Sequence, residues 1–204
     1  LDLLHPQVEA YLKELAGHGD PLLREMEERA ERENFPIVGP VAGRFLYQLA
    51  RLAGARRVFE LGSGYGYSTL WLARAVAENG GGVVYHTVWN EALSRQARDY
   101  LRRAGVDHLV RFHVGESVAA LRAAEGPFDL IFNDINKEGY PDSLPVIREK
   151  LRPGGVLVVD NTLWHGAIFD PADRSPATEG VRLLTRELVA DPGFVTTLVP
   201  IRDG

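Results

Sequence analysis

The sequence predicts an α/β fold, a parallel sheet covered by helices on both faces. Three observations carry that prediction. From residue 56 onward, short apolar runs alternate with helical stretches, the pattern of a parallel sheet. The first run passes through a glycine-rich turn directly into a helix. Two later runs end in acid and amide clusters, where ligands bind in open α/β sheets.

The elements follow in order. His5 to Gly17 carries Val8, Leu12 and Leu15 near helical period. Asp20-Pro21 reads as an N-cap and a first-turn proline. The helix behind it, Leu22 to Asn34, is rich in Glu and Arg and reads as a solvated face. Phe35-Pro36-Ile37-Val38-Gly39-Pro40 is a break, and Val41 to Ala53 resumes as an amphipathic helix. Strands are expected at Arg57–Leu61, Val83–Val88, Val110–Val114, Phe128–Asp134, Val156–Asp160 and Phe194–Ile201. Helices are expected at about Gly66–Glu78, Asn90–Ala104, Ser117–Ala124, Gly139–Leu151 and Thr178–Ala190. The Asp170–Pro176 stretch is a loop expected to lie over the site. One domain results: residues 1–53 form a helical cap and residues 54–204 the α/β core.

Composition excludes several functions. The chain has 204 residues, no cysteine and a net charge of −5. Zero cysteine removes disulfides, thiolate nucleophiles and Cys-based metal sites. Mild acidity disfavours nucleic acid as a partner, since phosphate contacts need a basic face. No apolar run approaches the roughly 18 residues of a membrane span, and Leu1 to Glu14 is not a signal peptide. A cytoplasmic protein with no membrane partner is expected. Glycine, at 21 residues, exceeds the average of about 7%, which predicts tight turns. Only Lys13, Lys137 and Lys150 are lysines among 23 basic residues, so a lysine inside a motif stands out.

The first motif is Glu60-Leu61-Gly62-Ser63-Gly64-Tyr65-Gly66-Tyr67-Ser68. Its spacing is G-x-G-x-G, which is neither the dinucleotide nor the P-loop pattern. Glu60 would repel a pyrophosphate and suits a ligand with an ammonium or sulfonium group. A plain strand-to-helix turn would carry similar glycines. The second motif is a pair of strand ends, Asp134-Ile135-Asn136-Lys137 and Asp160-Asn161-Thr162-Leu163-Trp164-His165-Gly166. Strands lie about 4.8 Å apart, so Asp134, Asp160 and Asn161 can converge as hard oxygen ligands for Mg²⁺ or Ca²⁺. The alternative is that Asp160-Asn161 caps a turn and Lys137 is solvated. Of the histidines (His5, His18, His86, His108, His113, His165) only His165 is placed to meet a substrate.

These residues together closely resemble the cation-dependent O-methyltransferases that use S-adenosylmethionine, the group of catechol and caffeoyl-CoA methyltransferases and their bacterial relatives. The resemblance spans nearly the whole chain: Pro36 to Leu46, the glycine loop, Gly115-Glu116-Ser117, Asp134 to Lys137, Arg152-Pro153-Gly154-Gly155, Asp160 to Gly166, and Pro200-Ile201-Arg202-Asp203-Gly204. It implies a Rossmann-like class I methyltransferase fold, a mostly parallel seven-stranded sheet with extra N-terminal helices. It implies that Val38, Glu60, Gly62, Gly64, Ser68, Ser117 and Asp134 bind S-adenosylmethionine. Asp134, Asp160 and Asn161 match metal ligands for Mg²⁺, or another divalent cation such as Ca²⁺ or Mn²⁺. Lys137 matches the general base, with Asp134 beside it as a catalytic group. A small-molecule methyl acceptor and a homodimer are implied as well.

Three departures accompany the resemblance. The second strand ends at Val88, where the family has an acid for the ribose hydroxyls; Asn90 and Glu91 are the nearby substitutes. Asn136 stands where the family commonly has Asp. The family continues past the final Asp-Gly with one more strand, so the last strand is expected to be missing here and both termini read as trimmed. The expected activity is metal-dependent methyl transfer to one of two neighbouring hydroxyls, as in a catechol. The alternative is a catalytically weak methyltransferase-fold protein that binds S-adenosylmethionine as a sensor or scaffold. An NAD oxidoreductase is disfavoured by the loop spacing and Glu60.

Overall fold

A computed structural model describes residues 4–17 and 19–204. His18 and the first three residues of the Leu1–Glu14 stretch lie outside them. Three helices come first: α1 (Pro6–Leu15), α2 (Pro21–Glu33) and α3 (Gly39–Leu52). Then β1 (Arg57–Leu61), α4 (Tyr67–Glu78), β2 (Val83–Val88), α5 (Glu91–Arg103), β3 (Val110–Val114) and α6 (Ser117–Ala123) alternate. They are followed by β4 (Phe128–Asn133), α7 (Tyr140–Lys150), β5 (Leu151–Val159) and α8 (Pro176–Ala190).

The five strands pair in parallel in the order β3-β2-β1-β4-β5. Side chains alternate across the sheet because the strand period is two. Val58, Leu130 and Phe132 join α2 to α5 on one face, while Phe59, Leu61 and Ile131 join α6 and α7 on the other. The strand order reverses between β1 and β4, and ligands bind in the crevice at such a switch point. The glycine loop and Asp134 both sit there.

The N-terminal helices are docked rather than merely solvated. Asp20 caps α2 by accepting from the Leu22 and Leu23 amides. Leu23, Met26 and Ala30 give α2 a buried stripe, and the Tyr65 hydroxyl donates to the Met26 carbonyl at 2.8 Å. Some of its charged face also has partners: Glu25 accepts from both Arg103 guanidinium nitrogens, and Glu27 accepts from Tyr67.

Two expectations are corrected. The sheet of the described residues has five strands, not the six or seven expected. Phe194–Ile201 runs as irregular chain, with Val195 fully exposed. A strand forms only where a neighbour offers a ladder. This segment stands off β5 across a groove of about 930 Å³, lined in part by Val38, Leu46, Val158, Leu188 and Leu198, and Pro200 has no amide to donate. The fifth strand also begins at Leu151 instead of Val156, because Leu151 already pairs with Phe128 across a register shift.

Candidate active site

The glycine loop folds as it does for internal reasons. Gly62, Gly64 and Gly66 have φ of 86°, 50° and 91°, the left-handed region that glycine enters freely. A Cβ on Gly62 would lie 2.2 Å from the Asp134 carbonyl oxygen, and one on Gly66 would lie 2.9 Å from Ala97 Cβ. The loop is therefore pressed against β4 and α5. Its start is tied across the sheet: Ser63 N donates to Thr87 O at 2.9 Å, and Asp134 N donates to Leu61 O at 2.9 Å.

Glu60 is fully buried beneath that loop. One carboxylate oxygen accepts from the Thr69 hydroxyl, which lies 3.0 Å from His86 Nδ1. Burial raises the Glu60 pKa, against the opposing pull of the Ser68, Thr69 and Ser63 hydroxyls. Burial lowers His86 to about 3, with Arg98 adding to the effect. Ser68 and Val38 are buried too. Ser117 opens α6, and its buried hydroxyl accepts from Thr87 at 2.8 Å. At the end of β2, Val88 is buried, while Asn90 spends its side-chain oxygen capping α5. Glu91 faces Arg95 at 3.7 Å.

The strand ends converge as the sequence suggests. Asn133 pairs with Val159, so Asp134 and Asp160 follow on adjacent strands, and Asp160 N donates to Asn133 O at 3.1 Å. Asp134 is pushed up to about 6, by burial first and by the Asp160 charge second, while Lys137 pulls the other way. Lys137 Nζ donates to Asp134 Oδ1 at 2.8 Å and to the Ile135 carbonyl at 3.2 Å. The rings of Tyr140 and Trp164 lie 4.8 and 5.8 Å from that nitrogen. Its turn is braced by α8, where a Cβ on Gly180 would come within 2.1 Å of the Lys137 carbonyl oxygen.

Residues near the C-terminal end complete the site, and composition and spacing gave them no role. Arg202 Nη2 donates to Asp160 Oδ2. Asp203, almost fully buried, accepts from Asn161 Nδ2 at 3.3 Å and from the His165 amide at 2.6 Å. Thr162 N and Leu163 N donate to the Gly204 and Asp203 carbonyls. Tyr140, also buried, donates to the Asp160 carbonyl at 2.6 Å. The positive φ of Asn161, His165 and Arg202 marks this as a tightly folded corner. In the sequence only the resemblance over Pro200-Ile201-Arg202-Asp203-Gly204 pointed to this segment. His165 itself is largely exposed, with Nδ1 3.3 Å from Asp203.

The donor set suits a hard divalent cation. The bonds above leave Asp134 Oδ2, Asp160 Oδ1 and Asn161 Oδ1 for other partners, and Asp203 orients the Asn161 amide as an outer partner does. Among the described residues no three His, Cys, Asp or Glu side chains gather in a metal-holding group, so such a site needs the Asn161 amide as its third donor.

The loop after β5 is strapped to α8. Arg182 donates to the carbonyls of Ala167, Ile168, Asp170 and Asp173. No helix among the described residues is long and apolar enough to cross a membrane.

Comparison with known proteins points to one family. A family model described as O-methyltransferase matches residues 13–204. A catechol O-methyltransferase of Mycobacterium tuberculosis is 34% identical over 197 residues, covering 95% of this chain and 88% of the relative. The O-methyltransferase TomG of Streptomyces achromogenes, involved in tomaymycin synthesis and solved with SAM, superposes with a TM-score of 0.80 at 34% identity, covering 91% of this chain and 85% of that one. An O-methyltransferase of Bacillus cereus solved with SAH gives a TM-score of 0.82 at 30% identity, over 91% and 86% of the two chains. With a family match over nearly its whole length and two acid-bearing strand ends beside a glycine loop, the chain belongs to the O-methyltransferase family.

Proposed function

We propose that the protein transfers a methyl group from S-adenosylmethionine to a hydroxyl of a small catechol-like or vicinal-hydroxyl acceptor. A divalent cation, Mg²⁺ or a similar ion, would be held by Asp134, Asp160 and Asn161. The observation that carries this reading is the buried Lys137 amine at Asp134, beside the Asp160-Asn161 strand end. SAM and SAH in the Streptomyces and Bacillus structures, and the catechol substrate in the mycobacterial relative's name, support it.

A divalent ion would lower the pKa of a chelated acceptor hydroxyl. The chain's own residues supply the rest. With Asp134 turned to a cation, Lys137 Nζ would lose its carboxylate partner, and after its ammonium proton has passed to solvent the neutral amine would take the hydroxyl proton. The resulting oxyanion would attack the sulfonium methyl in line with the departing sulfur, the methyl–sulfur bond breaking as the methyl–oxygen bond forms. Anion and cation neutralise each other in this step, so holding them at near-attack distance supplies much of the rate. The Gly62–Gly66 loop, fixed by Glu60, Ser63 and the β4 backbone, orients the cofactor, and the Arg182-strapped loop covers the acceptor side.

The test is methyl transfer from S-adenosylmethionine to catechol with Mg²⁺, repeated with chelator and with Asp160→Ala. Both should lose at least about 100-fold in rate, in line with the cost of removing electrostatic stabilisation. Undiminished turnover in both would sink the metal role. A second reading, a methyltransferase-fold protein that binds S-adenosylmethionine as a sensor, is favoured by Val88 and by the capped Asn90 at the ribose end. Tight binding of S-adenosylhomocysteine with no turnover on any catechol would select it.

A further inference from the structure

We propose that Arg202 competes with a divalent ion for Asp160, and so sets the metal affinity of the site. The inference rests on the metal reading of Asp134, Asp160 and Asn161 given above.

The two cations of the site are held differently. Lys137 is fixed: its side chain is 7% exposed, it has two oxygen acceptors, and two aromatic rings cover it. Arg202 is held more loosely. Its firm partner is the Asp160 carboxylate, a ligand candidate. Its contact with the Ile37 carbonyl is long, at 3.5 Å, and its buried Nε has no partner. A guanidinium offers five N–H donors, so this one is retained by the Asp160 charge more than by fit. Its side chain is 35% exposed, which gives it a way out toward solvent.

Charge balance points the same way. Asp134, Asp160 and Asp203 carry three negative charges against the two positive charges of Lys137 and Arg202. A divalent ion added to that set reverses its sign. While Lys137 keeps its proton, as it does with no acceptor bound, withdrawal of Arg202 from Asp160 restores neutrality and frees the second oxygen of that carboxylate. Like-charge repulsion at a few ångströms in a partly buried site is strong enough to matter. The same withdrawal releases the Ile37 contact, at the entry to α3.

The test is Mn²⁺ binding to the full chain, read from the paramagnetic resonance of free Mn²⁺, with no acceptor or cofactor present. Arg202→Gln should bind Mn²⁺ at least tenfold more tightly than wild type, and Arg202→Lys should stay within threefold of wild type. In the wild type, saturating Mg²⁺ should also shift the Arg202 guanidinium NMR resonance, a readout that needs no variant. Unchanged or weaker Mn²⁺ binding by a folded Arg202→Gln, or an unmoved resonance at saturation, overturns the competition and leaves the metal reading standing. No Mn²⁺ binding by wild type or variant overturns both.

Discussion

Lys137 is the side chain on which the proposed chemistry turns. Its amine is buried and points at Asp134, an arrangement that a solvated surface lysine would not adopt. Lys137→Met should lower kcat by about 10²- to 10⁴-fold, the usual worth of a positioned acid or base. Binding of S-adenosylhomocysteine, measured by calorimetry, should stay within threefold. His86 makes a different prediction. Buried with Thr69 and Glu60, it stays neutral in the folded protein down to about pH 3, against an ordinary value of 6.5. Between those values the unfolded chain holds the extra proton, so the His86 contribution is full above 6.5 and is lost as pH falls. Raised Glu60 acts with the opposite sign, its contribution fading as pH rises above 4.5. Comparing wild type with His86→Asn isolates the histidine. From pH 4 to 6 the wild type should gain on the variant by about 1.4 kcal/mol per pH unit, measured by urea unfolding. Parallel pH curves would contradict the assignment. At this scale the sequence singled out Lys137, Asp134, Asp160 and Asn161, and the structure sets them at the ends of two adjacent strands with Lys137 on Asp134. It gave no role to Arg202, Asp203 or Tyr140, because their partners lie 20 to 42 residues away in sequence.

At the scale of elements, the helices and strands place these groups by close backbone approach. Gly180 shows this most sharply. In an exposed helix interior, Gly→Ala stabilises by about 1 kcal/mol. Here α8 packs on the Lys137 turn, and a new Cβ would meet the Lys137 carbonyl oxygen at 2.1 Å. Gly180→Ala should therefore destabilise by about 1–3 kcal/mol, the range for overpacking. It should also cut kcat through the displaced Lys137 turn. A raised melting temperature with normal turnover would show that α8 does not brace the base. Gly62 obeys the same rule, since its missing Cβ makes room for the Asp134 carbonyl. The sequence marked the glycine loop as a ligand cradle. The structure adds that β4 and α5 already require those glycines. Helix starts at Asp20 and Asn90 were legible because their signals are local, each residue capping the helix that follows, whereas Ser175-Pro176, expected in a loop, cap and open the last helix two residues before its expected start at Thr178. The start of β5 was not, because Leu151 to Gly155 extend the strand only through pairing with β4.

Across the whole molecule, stability is concentrated in the sheet centre. β1 is hydrogen-bonded on both sides, to β2 and β4, and Val58, Phe59 and Leu61 are wholly buried. Residues 195–200 are exposed, and the groove separates their segment from β5. Hydrogen exchange should find the β1 and β4 amides slowest, opening only with global unfolding, and the amides of Val195 to Val199 fast. Slow exchange in that last segment would mean that it pairs as a strand after all. The sequence by itself determined the alternation of elements, the parallel sheet with two apolar faces, the glycine turn and the acid-bearing strand ends. These rest on local periodicity and turn chemistry, which neighbouring residues encode. Tertiary structure alone decided three things: that Phe194–Ile201 is not a strand, that Glu60 is buried under the loop, and that Arg202 and Asp203 complete the Asp160 corner. A strand, a buried carboxylate and an ion pair each need a partner brought from far along the chain, and only the folded backbone supplies it.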